Sequence, residues 1–414
     1  MDPEGFRALL DPAGQRLLAA LADDDGTLGD PVRDPLRAAS RLRRGYPAPL
    51  VAAALTQARL RARAREKFDA DADRMYFTPD GLEQATRRTV ADHRARRFAA
   101  RGRLEGGRLV ELCCGIGGDL IALARAGYRV DALDSDPLTV EVARANVAAL
   151  GLGDRVSVRR ADAEEVDAGA YDAAFCDPGR RATGSRTFDP YGYAPPLPVA
   201  LGLVGRARVG CVKVAPGIPH TFVPAGAEAE WVSDGGDVKE AALWLGDPAG
   251  VPVGGRPGGV ARRATLLPSG ATLAADPDVG DPPVRGPQRF LYEPDGAVIR
   301  AHLVAEAAAL VDGALLDRTI AYITADRLVP TPFAAAYEVT DVFPFSLKRL
   351  RALLRARGVG NLTIKKRGSA VDVERLRRDL RPSGEGSSVV VLTRLAGSPT
   401  VLLCQPAGHG VPPR

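Results

Sequence analysis

A chain of 414 residues, 45% hydrophobic and 26% charged, is long enough for two or three domains with buried cores and too apolar to be disordered. A net charge of +5 and a pI near 9.0 favour contact with a polyanion, but nearly all the positive charge is arginine in an Ala/Gly/Arg/Pro-rich chain, so its placement matters more than its sum. No segment has the charge-free apolar length that spans a bilayer, and MDPEGFRALLDPAGQ lacks the layout of a leader, so no membrane contact and a cytoplasmic location are expected.

The five cysteines (Cys113, Cys114, Cys176, Cys211, Cys404) form neither CxxC pairs nor a disulfide framework. The four histidines (His93, His220, His302, His409) are widely scattered. A zinc site and a Ser-His-Asp triad therefore lack support, and no metal is expected.

Residues 1–100 read as a helical N-terminal domain, with apolar spacing at Phe6, Leu9, Leu10, Leu17, Leu18 and Leu21 and a second run from Leu50 to Leu60. The acidic stretch DDDGTLGD at 23–30 ends the first helix. In MYFTPDGLEQAT, Thr78 is a fitting N-cap with Pro79 at the first helical position, and a helix is expected from there toward Phe98.

Over 101–285 the pattern alternates strand and helix, which implies an α/β fold with a doubly wound, mainly parallel sheet. The strands are RLVELCC, YRVDALD, VSVRRAD, AYDAAFCDP and VGCVKVAPG. The intervening helices are DLIALARAG, PLTVEVARANVAALG and PPLPVALGLVGRA. AEAEWVSDGG, VKEAALWLG and ARRATLLPSGATLAAD read as antiparallel strands that end the sheet. Residues 286–336 read as a linking helical segment through AVIRAHLVAEAAALVDGALL. The last part, 337–414, reads as a small α+β domain of strand, helix, strand, helix, strand, strand.

The stretch ELCCGIGGD, Glu111 to Asp119, sits between a strand and a helix. Gly115, Gly117 and Gly118 leave no Cβ in the way of a ligand brought against backbone N–H groups and a helix start. Asp134, with Ser135 beside it, ends the second strand about 20 residues on, where a carboxylate accepts from ribose hydroxyls. Asp162 follows the third strand, placed to accept from an adenine amine, and Ala163 offers its backbone N–H. Glu111 precedes the turn, where it would oppose a phosphate but attract an ammonium group. That separates a dinucleotide from a ligand with ribose, adenine and an α-amino group.

These residues resemble the motifs of class I S-adenosylmethionine-dependent methyltransferases, and the likeness runs on through ALDSDPLTVEVARANVAALGLGDRVSVRRAD. The resemblance implies a Rossmann-like methyltransferase sheet with S-adenosylmethionine as cofactor. The CGIGG turn and MYFTPDGLEQA are particularly similar to the trimethylguanosine synthase branch of RNA methyltransferases. Cys113 departs from the family, most of which has glycine there, and should narrow the space around the cofactor.

The fourth strand ends in CDPGRR, where amine-directed nucleic-acid methyltransferases carry an acid or amide, two prolines and an aromatic residue. Asp177 and Pro178 match that motif, and Asp177 is expected to orient the target nitrogen. Gly179 and Arg180 depart from it. Arg180 and Arg181 could stack on a base or pair with phosphate, and Tyr191 or Tyr193 could supply the missing ring. The segment from Tyr337 resembles the THUMP-like domain attached to bacterial methyltransferases of this kind, whose parent domain is associated with RNA modification. Lys348, Arg349, Arg351, Arg355 and Arg357 are read as a solvated helix face, and Lys365, Lys366 and Arg367 as phosphate contacts.

The expectation is a methyltransferase acting on a base amine in RNA. Three alternatives stay open: a protein or small-molecule methyltransferase, a non-catalytic S-adenosylmethionine-binding RNA adaptor, and a nicotinamide-dependent dehydrogenase. Glu111 and the missing GxGxxG argue against the last of these. The RNA class, the modified atom and the oligomeric state are not legible.

Overall fold

The structure is a computed structural model that describes residues 2–22, 33–102, 106–179, 181–182, 185–186, 189–246 and 261–407. The stretch DDDGTLGD therefore falls outside the described residues. Two units divide the chain, one of Met1–Ile218 with Ala242–Val251 and one of Pro219–Ala241 with Pro252–Arg414.

The first unit begins with helices punctuated by proline and aspartate: α1 (Pro3–Leu10), α2 (Pro12–Ala22), α3 (Pro35–Leu42), α4 (Ala48–Phe68), α5 (Pro79–Gln84) and α6 (Arg88–Gly102). The apolar spacing from Phe6 to Leu21 is split between α1 and α2, because α1 ends at Asp11 in an extended conformation and Pro12 starts the next helix. Thr78 caps α5 by accepting from Gly81 N, as expected. However, α5 stops at Gln84 and α6 starts anew, so the run toward Phe98 is two helices. Lys67 Nζ donates to the carbonyls of Leu82, Glu83 and Ala85, which satisfies the orphan acceptors at the end of α5.

The α/β part follows: β1 (Arg108–Leu112), α7 (Gly118–Arg125), β2 (Arg129–Asp134), α8 (Pro137–Ala149), β3 (Val156–Arg160), β4 (Ala173–Cys176), the hairpin β5 (Arg181–Ala182) and β6 (Ser185–Arg186), α9 (Leu197–Val204) and β7 (Val209–Val214). Leu109, Val110, Leu112 and all of β4 and β7 are buried, the continuous burial expected of a parallel sheet covered on both faces. Within this unit the strand order is β7-β4-β1-β2-β3, all parallel. The order reverses beside β1, and in open α/β sheets such a switch point opens a crevice at the strand C-termini. The helical segment shares its core with this crevice: Phe6, Leu9, Val51, Leu55, Met75 and Phe77 pack in one cluster with Ile116, Ile121 and Val142. Asn146, fully buried on α8, fastens the two by accepting from Tyr76 N and donating to the carbonyls of Tyr76 and Ile116.

The second unit contains β8 (Glu228–Asp234), β10 (Ala261–Leu267) and β11 (Ala271–Ala274), and β9 (Asp237–Gly246) starts in it. β10 and β11 form an antiparallel hairpin, as expected, but β10 pairs with β8 in parallel, contrary to the expectation of antiparallel strands. The stretch 286–336 is only in part the helical link its alanines suggest. It gives β12 (Phe290–Pro294), two short helices α10 (Gly296–Arg300) and α11 (Val304–Leu310), then β13 (Ala314–Asp317) and β14 (Ile320–Ala325). His302 and Asp312, both at positive φ, close the two helices.

These strands join β15 (Ala334–Pro344), β16 (Val359–Lys366), β17 (Gly386–Leu395) and β18 (Ser398–Pro406) in a sheet of order β13-β14-β12-β15-β18-β17-β16. Helices α12 (Leu347–Ala356) and α13 (Val373–Leu380) bury Leu350, Leu354, Leu376 and Leu380 against Val390, Leu392, Val401 and Leu403. The alternate residues Val389, Val391, Leu402 and Cys404 turn to the other face, with Leu291, Tyr322 and Tyr337.

Candidate active site

The turn after β1 requires left-handed backbone at three points, Cys113 (φ 62°), Gly115 (φ 55°) and Gly117 (φ 94°). Glycine adopts that region freely, whereas at Cys113 it costs roughly 1–2 kcal/mol. Gly118 is needed for close approach, since a Cβ there would lie 3.2 Å from the Thr86 carbonyl oxygen. Asp134 stitches the turn to the end of β2: its carboxylate accepts from Gly115 N and from Asp136 N, each at 3.0 Å. Burial raises Asp134 above the usual carboxylate range despite those donors.

A cleft of about 720 Å3 opens over this turn, within the size range of small-molecule sites. The helical segment supplies one wall through Thr78, Gly81 and Thr86, and the strand ends supply Glu111, Asp134 and Asp177. Beneath it runs a chain of charges. Arg94 Nε donates to Asp119 Oδ1 at 2.8 Å, and Asp119 Oδ2 accepts from the Thr86 hydroxyl at 2.6 Å. Lys213 Nζ donates to Thr86 Oγ1 at 2.9 Å and to Asp177 Oδ2 at 2.6 Å. Arg94 also lies over the Phe175 ring, 4.5 Å from its centroid.

Burial works to raise Asp119, but Arg94, Lys213 and the Thr86 hydroxyl outweigh it and hold the carboxyl below its usual range. Glu111 takes the opposite course. Burial, with Asp119 and Asp177 nearby, pushes it well above the usual range, and its Oε2 is buried without a hydrogen-bond partner. A buried carboxyl with an unused oxygen on a cleft that holds other carboxylates is suited to an incoming ammonium group.

Of the residues singled out in the sequence, Glu111, Cys113, Gly115, Asp134, Ser135, Asp177 and Pro178 line this cleft together. Gly117 stands behind it as the N-cap of α7. Asp162 and Ala163 are not part of the lining: the Asp162 carboxylate caps a short turn by accepting from Glu164 N, and Ala163 is buried.

Tyr193 is also placed differently from expectation. It is 3% exposed with its hydroxyl accepting from Ala215 N, so its ring packs inside, whereas Tyr191 is 63% exposed. Arg180 lies outside the described residues, and of Arg181 only its place in the β5 hairpin is described.

Lys365, Lys366 and Arg367 do not form one outward cluster. Lys365 pairs with Glu293 at 2.6 Å and lies over the Tyr337 ring, and Arg367 approaches the same carboxylate at 3.5 Å. Lys366 is exposed and donates to the Val371 carbonyl. The reason is strand alternation, which sends residues 365 and 367 to one face and 366 to the other.

Thr86, Arg94, Asp119 and Lys213 were not singled out from the sequence. One signal was available: Lys213 interrupts an otherwise apolar strand, VGCVKV, every residue of which is buried. A lysine in such a place needs a partner, and Asp177 ends the neighbouring strand.

Comparison with known proteins agrees with this geometry. Residues 109–179 match a methyltransferase domain, 334–406 a THUMP domain-like family, and 2–64 a domain of unknown function. An uncharacterized S-adenosylmethionine-dependent methyltransferase of Mycobacterium tuberculosis is 39% identical over 341 residues, covering 80% of this chain and 89% of the relative. A probable cobalt-precorrin-6B C(15)-methyltransferase of Pyrobaculum aerophilum is 38% identical over 81 residues, 19% of this chain and 41% of that protein. A crystal structure of a putative methyltransferase from Porphyromonas gingivalis shares the fold, with a TM-score of 0.76 and 21% identity over 95% of this chain and 99% of that one.

S-adenosylmethionine fits the residues present. Its α-ammonium matches the unused Glu111 oxygen and its ribose the Asp134 carboxylate, over a turn with little side-chain bulk. The chain belongs to the S-adenosylmethionine-dependent methyltransferases.

Proposed function

We propose that this methyltransferase acts on a base amine in RNA, with Asp177 orienting the target nitrogen. The observation that carries the reading is the position of Asp177 and Pro178 at the end of β4, lining the same cleft as Glu111 and Asp134. The bound cofactor supplies an electrophilic methyl group on a sulfonium. The chain's own task is to hold nucleophile and methyl in line and keep water away. Asp177 accepts an N–H of the amine, which points the nitrogen lone pair at the cleft, and the proton released after transfer passes to water. Glu111 and Asp134 fix the cofactor on the opposite side.

Support for RNA comes from the THUMP domain-like match at 334–406 and from the likeness of the CGIGG turn and MYFTPDGLEQA to the trimethylguanosine synthase branch. Exposed basic residues of α12, Lys348, Arg349 and Arg355, and the exposed Lys366 are among the described cations available to phosphate. Arg180 and Arg181 keep their proposed role beside the acceptor. A cytoplasmic location goes with this reading, and among the described residues no helix is long and apolar enough to cross a membrane.

The test is transfer of labelled methyl from S-adenosylmethionine to total RNA from cells lacking the protein, with a protein fraction alongside. Label in RNA, released as a methylated base, supports the reading. Label in protein only, or none despite tight binding of both ligands, overturns it in favour of a protein methyltransferase or a binding adaptor.

A further inference from the structure

Lys213 does not line the cleft but contacts two residues that do, Thr86 and Asp177, and it has no counterpart in the motif that drew attention to Asp177. It is 5% exposed, on a strand whose other members are apolar, and its ammonium bridges Asp177 Oδ2 and the Thr86 hydroxyl. Desolvating a lysine at the end of a buried strand is costly unless it is paired, so its retention there calls for a role in arranging its partner.

Building on the amine reading above, we propose that Lys213 is the positioning residue of the methyl-transfer site. By engaging Oδ2 it fixes the rotation of the Asp177 carboxylate and leaves Oδ1 to accept from the acceptor amine. An unclamped carboxylate would sample other orientations and present either oxygen. The pair is neutral as a whole, so the nitrogen, which gains positive charge as the methyl arrives, does not meet a net cation.

The clamp is itself held. Thr86 accepts from Lys213 and donates to Asp119, whose other oxygen takes Arg94. Thr86 and Arg94 belong to the N-terminal helical segment, Asp119 to the first turn of α7, and Lys213 to β7. The helical segment thus reaches the reacting centre through Thr86, and its close approach to the turn is the one that Gly118 permits.

The experiment measures single-turnover methyl transfer to the acceptor RNA, with cofactor and RNA affinities measured by calorimetry. It compares wild type, Lys213→Met, Lys213→Arg, Asp177→Ala and the Lys213→Met/Asp177→Ala double variant. Lys213→Met should lower the bound-state rate by roughly 10-fold or more while both affinities stay within about twofold. Lys213→Arg should recover part of the loss.

If Lys213 acts through Asp177, the double variant is no slower than Asp177→Ala alone. Multiplying defects overturn the proposal, as does a wild-type rate in Lys213→Met. Should Lys213→Met fail to fold because it strands the Asp177 charge, the double variant removes both charges and its comparison with Asp177→Ala carries the test. An active wild type with an unaffected Lys213→Met refutes the clamp alone, whereas a wild type that methylates no RNA refutes the amine reading and the clamp with it.

Discussion

Two clusters of charge, the cleft over the turn after β1 and the group at the end of β16, illustrate when a charged strand end becomes a site. In the cleft, Glu111, Asp119 and Asp177 are served by Arg94 and Lys213, and an oxygen of Glu111 is left buried without a partner. At the end of β16, Lys365 and Arg367 both turn to Glu293, and the basic pair is largely occupied within its own unit. Binding capacity follows the charge that remains after internal pairing. The number of like charges in a row is a poor guide to it.

That contrast can be broken most forcefully at Arg94. Arg94 and Asp119 are 2% and 4% exposed, so Arg94→Ala should remove the ion-pair partner of a buried carboxylate and cost about 3–5 kcal/mol in urea-induced unfolding. Lys365 and Glu293 have side chains 21% and 16% exposed, and Lys365→Met should cost only about 1 kcal/mol. Equal costs at the two sites would erase the distinction.

A second, smaller effect concerns pH. Burial and the neighbouring carboxylates disfavour the ionised form of Glu111 in the free protein, and an arriving ammonium stabilises it, so cofactor binding favours release of a proton. Affinity for S-adenosylmethionine should therefore rise with pH, by up to about tenfold per unit, until the pH passes the Glu111 pKa of the free protein or the cofactor amine itself deprotonates near 7.7–8.0. Calorimetry across pH should show this slope in wild type and lose it in Glu111→Gln. A slope that survives the substitution would assign the proton to another group.

The smallest effect sharpens the other side of the comparison. If RNA docks along β16, Lys366→Ala should flatten the salt dependence of binding by roughly 0.7–0.9 of a log-log slope unit. Lys365→Ala and Arg367→Ala should change it less, because Glu293 already neutralises part of their charge. Equal changes at all three positions would restore the outward cluster.

The legible parts of the chain share a physical cause. The parallel strands β1, β2, β3, β4 and β7 and helices α7, α8 and α9 were announced by apolar runs or helical spacing, the β5–β6 hairpin was not, and the glycine turn fixed the positions of Glu111 and Asp134 through backbone geometry alone. In 286–336 the alanine-rich part is helical as read, in α10 and α11, but the strands β12, β13 and β14 that flank it were missed, because β12 is held by pairing with β14 and β15, which lie 26 residues or more further on in the chain. The Arg94–Asp119–Thr86–Lys213 chain was missed for a related reason. Its members are 127 residues apart at the widest hydrogen bond, and no local pattern links them. Of the two rings offered for the missing stacking contact, Tyr193 is buried and Tyr191 is exposed, a difference that two tyrosines two residues apart do not announce.

The central claim is that Asp177 orients the methyl acceptor, and the most direct measurement is single-turnover methylation of the acceptor RNA by Asp177→Ala with cofactor affinity measured in parallel. Asp177→Ala should bind cofactor close to wild type and methylate more slowly by roughly 10²-fold or more, since a misplaced nucleophile loses the benefit of alignment. A wild-type rate in Asp177→Ala would contradict it.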